Sequence, residues 1–267
     1  MSEVARPPVV FIHGLWLHAS SWQPWVDLFE SEGYEAIAPG WPGDGDTLAQ
    51  TRSNPDAVAD YGVDEVAEHY AQIMSKFPTR PIVVGHSFGG LLVEKLLGDD
   101  KASAGVAIDA APVKGVLPLP ISALRVAFPV LRNPGNVDAA IALTEDQFHY
   151  GFGNAIDREE SKELFERWTI PSPARPLFQA ASANLNPHSP TKVDVHNQER
   201  GPLLLTMGGK DHTVPEAISK STYKKYRKSE ASTELVEFED RGHSLTIDHG
   251  WREIADHVLS WLKGKGL

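Results

Sequence analysis

Ser87 lies in the run Val83-Val84-Gly85-His86-Ser87-Phe88-Gly89-Gly90, a Gly-x-Ser-x-Gly pattern. A short β-rich segment, Pro81 to Val84, precedes it, and a helical segment, Phe88 to Leu97, follows. A serine on a sharp strand-to-helix turn is held in a strained conformation with its hydroxyl exposed. Its glycine neighbours let strand and helix approach closely. The hydroxyl then sits at a helix N-terminus, where backbone N–H groups are free and the dipole favours negative charge. That setting suits a serine nucleophile attacking a carbonyl carbon. Such a serine needs a base, and the base needs an orienting acid. In a parallel α/β sheet, functional groups gather on loops at the carboxyl ends of strands. After the apolar run Pro202–Met207 comes Asp211, and after Glu234–Phe238 comes His243. These are the candidate acid and base. A second reading stays open for Asp211, which could cap a helix beginning near Val214.

The elements that must position these residues follow from hydrophobic periodicity. Val9–Ile12, Glu35–Pro39, Pro81–Val84 and Gly105–Ala110 read as short buried strands. Helices are expected over Ser20–Ser31, Val63–Phe77, Phe88–Leu97 and, closing the chain, Thr246–Leu262, each with apolar residues three and four apart. Alternating strands and helices argue for a parallel sheet covered on both faces. The alternation breaks near Pro112. From there to Arg200 no buried strand is expected, only short helices over Ser122–Leu131, Thr144–Phe152, Arg158–Trp168 and Ala174–Asn184. We therefore expect a core from residues 1–113 and 201–267, with a helical insertion over residues 114–200.

Composition narrows the function classes. The formal net charge of −11 disfavours nucleic acid and anionic membrane surfaces as partners. The absence of cysteine removes disulfides, thiolate nucleophiles and Cys-based metal sites. No His-Glu-x-x-His or similar ligand spacing occurs, so neither a metal nor another cofactor is expected. Residues 1–8 lack the apolar core of a signal peptide, and no apolar run approaches the roughly 20 residues of a membrane span. A cytoplasmic location is the resulting expectation.

The order Ser87…Asp211…His243, the turn around Ser87, the Gly208-to-Pro215 stretch, the Gly242-His243 pair and His13-Gly14 after the first strand together resemble the α/β-hydrolase superfamily. The resemblance spans essentially the whole chain and implies a mostly parallel sheet of about six strands, with residues 114–200 in the place of a cap. It further implies that Ser87 attacks a carbonyl, that His243 shuttles the proton and that Asp211 orients and stabilises the imidazole. The backbone N–H groups of Leu15 and Phe88 would form the oxyanion hole. Asp109, at the end of a core strand, is the rival acid, because some members place theirs there. His13 would brace the oxyanion loop, and His86 would be a structural neighbour.

A serine at position 87 argues against haloalkane dehalogenases and epoxide hydrolases, which use aspartate there. It is compatible with esterases, lipases, lactonases, amidases, perhydrolases, C–C hydrolases and serine-bearing hydroxynitrile lyases. The insertion carries 9 Lys/Arg against 10 Asp/Glu, so the excess acidity lies elsewhere. Trp16, Trp41, Phe148, His149 and Phe152 are candidates for the pocket wall. A mostly apolar pocket without a charge clamp implies small to medium uncharged esters as substrates.

Overall fold

The computed structural model describes residues 6–267; the expectation about the first eight residues falls largely on residues 1–5, outside the described part. Among the described residues eight strands occur: β1 (Val9–Ile12), β2 (Ala36–Ile37), β3 (Ile82–His86), β4 (Ala104–Ile108), β5 (Ala140–Ile141), β6 (Ser172–Pro173), β7 (Leu203–Gly208) and β8 (Thr233–Phe238). Six of them form one sheet in the order β2-β1-β3-β4-β7-β8, every pairing parallel. The central strands are continuous apolar runs, as a sheet covered on both faces requires.

Their alternation feeds two apolar layers. Phe11, Val84, Val106 and Leu204 face one side, where Trp25 and Phe29 of the helix Gln23–Ser31 and Val258 and Leu262 of the helix Trp251–Gly264 cover them. Val10, Ile12, Val83 and Leu205 face the other, beneath the helices Val63–Met74, Phe88–Gly98 and Glu216–Lys225. Each fully buried Leu, Ile, Val or Phe contributes on the order of 1.5–3 kcal/mol, so the layers fix the strand ends that carry the site.

Between β4 and β7 the chain leaves the sheet. It forms the helices Ile121–Leu131, Glu145–Gly151, Arg158–Trp168 and Arg175–Ala181. The expectation of no strand here needs correction, since β5 and β6 pair antiparallel. Each has two residues, too few to display a period of two. β2 is also shorter than expected, because it pairs only with β1 and Pro39 has no N–H to extend the ladder. The closing helix starts at Trp251, not Thr246. Ser244 Oγ donates to Asp248 Oδ2 at 2.8 Å and the Gly250 N–H to Asp248 Oδ1 at 3.0 Å, which holds residues 244–250 in turns instead.

Candidate active site

The backbone at Ser87 has φ +57° and ψ −120°, between the last residue of β3 and the first of the helix Phe88–Gly98. A non-glycine residue there stores roughly 1–3 kcal/mol of strain. The surroundings hold it: the Ser87 N–H donates to the Ile108 carbonyl at 2.9 Å, and the Ser87 carbonyl accepts from the Ala111 N–H at 2.9 Å. The flanking glycines are steric necessities. A Cβ at Gly85 would lie 2.3 Å from the Gly89 carbonyl oxygen, and one at Gly89 would lie 2.1 Å from the Ile12 oxygen. β1, β3 and the helix after Ser87 are packed backbone against backbone.

That packing brings the loop after β1 onto the serine. A Cβ on Gly14 would sit 2.7 Å from Ser87 Cβ. Among the described residues the N–H groups of Leu15 and Phe88 have no hydrogen-bond acceptor. The loop is held from both ends. His13 Nδ1 bonds the Gly14 carbonyl at 2.9 Å, and its Nε2 bonds Asp44 Oδ2 at 3.0 Å. The Trp41 indole N–H donates to the His13 carbonyl at 3.0 Å, and its ring stacks on the imidazole. Trp16, with φ +67°, donates from its backbone to Ser172 Oγ at 2.6 Å and from its indole to the Ile141 carbonyl at 3.0 Å. The β5–β6 pair therefore clamps the loop beside Ser87. Nothing in the sequence marks Ile141 or Ser172 for that task.

Asp211 and His243 come together from the ends of β7 and β8. His243 is completely buried, and its Nδ1 lies 2.6 Å from Asp211 Oδ2. Asp211 Oδ1 accepts from the N–H groups of Thr213 at 2.6 Å and Val214 at 2.8 Å. Asp211 does not cap the helix, which begins at Glu216 with Pro215 at its N-cap; one of its oxygens holds the turn at Thr213 and Val214, and the other faces the imidazole. His243 packs against the rings of His86 and Phe152, with centroids 4.5 and 4.8 Å away. Its Nε2 is buried and unpartnered among the described residues. No hydrogen bond joins it to Ser87 Oγ, a contact that often tightens only when substrate is bound.

Asp109 completes a buried carboxyl pair. It has φ +44°, its Oδ1 accepts from the Gly208 N–H at 2.9 Å, and its Oδ2 lies 4.0 Å from His243 Nδ1. Burial pushes the Asp109 carboxyl well above the usual range, and the negative charge of Asp211 pushes it further. Burial also draws Asp211 upward, but the charge of His243 and hydrogen bonds from His243, Asp109 and the Val214 N–H outweigh it, leaving Asp211 below the ordinary value. The pair is thus split, Asp109 raised and Asp211 lowered, and it is Asp211 that faces the imidazole. Asp109, Asp211 and His243 do offer three possible metal-ligand atoms within 4.8 Å of one another. His243 Nδ1 already faces the Asp211 carboxylate at 2.6 Å. His86 sits against the same ring, and burial holds its imidazole well below the usual value, hence neutral.

A cavity of about 380 Å³ opens beside Ser87 and Phe88. Trp16 lines it. Trp41, Phe148, His149 and Phe152 do not, which corrects the expectation for four pocket candidates. Trp41 braces His13 instead. Phe148 is fully buried and stacks on Phe152 at 5.0 Å; Phe152 presents its edge to His243, behind the cavity wall. His149 lies in the helix Glu145–Gly151, its Nδ1 within 3.4 Å of where a Cβ on Gly153 would stand. The wall comes instead from residues 111–131, 177–185 and 213–218, and it contains no charged side chain.

Residues 9–257 match the model of the Alpha/beta hydrolase family. Among curated proteins there is no match. Solved structures share the fold. A methylesterase from Arabidopsis superposes with a TM-score of 0.66 at 17% identity, over 97% of this chain and 99% of its own. A thermophilic esterase from Thermogutta terrifontis gives 0.67 at 16%, over 97% and 90%. A monoacylglycerol lipase from Paleococcus ferrophilus gives 0.63 at 20%, over 96% and 95%. With the family matched from β1 into the last helix, around a six-stranded parallel sheet bearing a strained serine at its centre, the chain belongs to the alpha/beta hydrolase family.

Proposed function

We propose that the protein is a serine carboxylesterase that hydrolyses uncharged carboxylic esters through an acyl-enzyme. The observation that carries this reading is the buried His243, with one nitrogen 2.6 Å from the Asp211 carboxylate and the other free, beside the strained turn at Ser87. Ser87 Oγ attacks the ester carbonyl while His243 Nε2 takes its proton. The resulting imidazolium is stabilised by Asp211, whose carboxylate remains ionised. The tetrahedral oxyanion is met by the Leu15 and Phe88 N–H groups, each worth about 2.7–4 kcal/mol of barrier. Collapse expels the alcohol, which receives the proton from His243, and water repeats the sequence on the acyl-enzyme. In this reading residues 114–200 form a cap over a core of residues 1–113 and 201–267, and the cap limits water at the acyl-enzyme. The uncharged cavity wall supports neutral substrates, and its lack of Lys and Arg offers no cationic partner for lyase chemistry.

The test is pre-steady-state hydrolysis of p-nitrophenyl acetate. The proposal expects a stoichiometric burst of p-nitrophenol, abolished by an organophosphate and by Ser87→Ala. Wild-type turnover in Ser87→Ala would overturn it.

A further inference from the structure

The large apolar side chains that stand strongly exposed are not scattered. Among the described residues they are Leu117, Leu119, Ile121, Leu124, Phe128 and Leu185, with Leu119 74% and Leu185 89% exposed. All six belong to residues 117–128 and 185, the two segments that flank the mouth of the cavity at Ser87. Leu119, Leu124 and Leu185 line that cavity and face solvent at once. Each such side chain left in water forgoes roughly 1.5–3 kcal/mol of burial, so a concentration of them at one opening calls for an occupant.

Resting on the reading of Ser87 as the nucleophile, we propose that the substrate itself is the occupant: an ester whose alkyl chain or ring system outgrows the cavity and lies along this collar. Three features select that chemistry. The cavity, about 380 Å³, is at the small end of ligand sites, so a longer apolar group must emerge from it. The emerging group meets no charge. From Val116 to Leu131 the only charged residue is Arg125, whose guanidinium is drawn over the Tyr150 ring at 4.0 Å. The collar is also preorganised: Pro118 and Pro120 fix φ on both sides of Leu119, so covering it costs little chain entropy. The preferred esters are therefore medium to long and apolar, larger than the sequence alone implied.

The experiment is a p-nitrophenyl ester series from acetate to dodecanoate, each kept below its aggregation threshold, with wild type and Leu119→Ser/Leu185→Ser. Wild-type kcat/KM rises through octanoate and beyond, by up to about fourfold per methylene. In the double variant the loss grows with chain length, at most about twofold for acetate and at least about tenfold for dodecanoate, with an unchanged melting temperature. An optimum at acetate or butyrate, or equal losses along the series, overturns the proposal. So does a sedimentation profile in which the double variant turns a dimer into a monomer with equal losses at every length, since the collar would then be an interface between copies. Failure of the function itself is separate: it shows as Ser87→Ala retaining acetate turnover, whereas a flat chain-length profile with an inactive Ser87→Ala removes only the collar.

Discussion

The two sides of the cavity are built on different principles. On the sheet side the backbone and the key side chains are tied down. Ser87 is wedged between β1, β3 and its helix, the Leu15 loop is tied down by His13 and Trp41, and both Asp211 oxygens are engaged. The segment between β4 and β7 supplies area instead, an uncharged wall and an exposed apolar collar. Directional chemistry needs fixed donors and acceptors, whereas apolar recognition depends on contact area and tolerates substitution. Changes on the sheet side should therefore act as thresholds, and changes on the other side should grade with substrate size.

The largest effect expected is from Ser87→Ala, a loss of kcat on the order of 10⁶-fold with little change in melting temperature. Gly89→Ala should act on folding, because its Cβ would meet the Ile12 carbonyl at 2.1 Å; a destabilisation of at least about 4 kcal/mol in urea titration is expected. Next comes the carboxyl pair. Asp211→Asn should lower kcat by about 10⁴-fold. Asp109→Asn should cost less than about tenfold, because Asp109 Oδ2 lies 4.0 Å from His243 Nδ1, beyond hydrogen-bond reach, whereas Asp211 Oδ2 lies at 2.6 Å. The reverse order would make Asp109 the acid and break the division between the two.

The sheet side also predicts a pH dependence. Burial pushes Glu94 up to about 8, while its carboxyl accepts from the Tyr226 hydroxyl at 2.7 Å. Between its ordinary value of 4.5 and about 8 the folded chain keeps a proton that the unfolded chain has released. Stability therefore falls as pH rises through that window, by about 3 kcal/mol at pH 7. Glu94→Gln should flatten this slope in melts from pH 5 to 8. The smallest effect is Ser172→Ala, which frees the Trp16 N–H and should cost about 1 kcal/mol of transition-state stabilisation, read as a five- to tenfold lower kcat.

The sheet side was also the legible one. Val9–Ile12 and Leu203–Gly208 announce themselves as buried strands, and strand ends point to Asp211 and His243, although Asp109 ends a strand too and motif context alone ranks the two acids. The helix Leu48–Ser53 left a signal too, the Thr47/Gln50 capping box, but a loop rich in Gly, Pro and Asp concealed it. The other side was illegible for a physical reason. Aromatic character does not say which face a ring presents, so Phe148 and Phe152, which pack behind the wall, read the same as Trp16, which lines it. The clamp of Trp16 by Ile141 and Ser172 spans more than 120 residues and rests on one carbonyl and one hydroxyl, neither of which has a local pattern.

The central claim is that Ser87 carries the acyl group. Incubating the protein with a fluorophosphonate and mapping the product by peptide mass spectrometry tests it most directly. One adduct per chain is expected, on Ser87, formed far more slowly in His243→Ala. Ester turnover with no adduct on Ser87, or with the adduct on another residue, would contradict it.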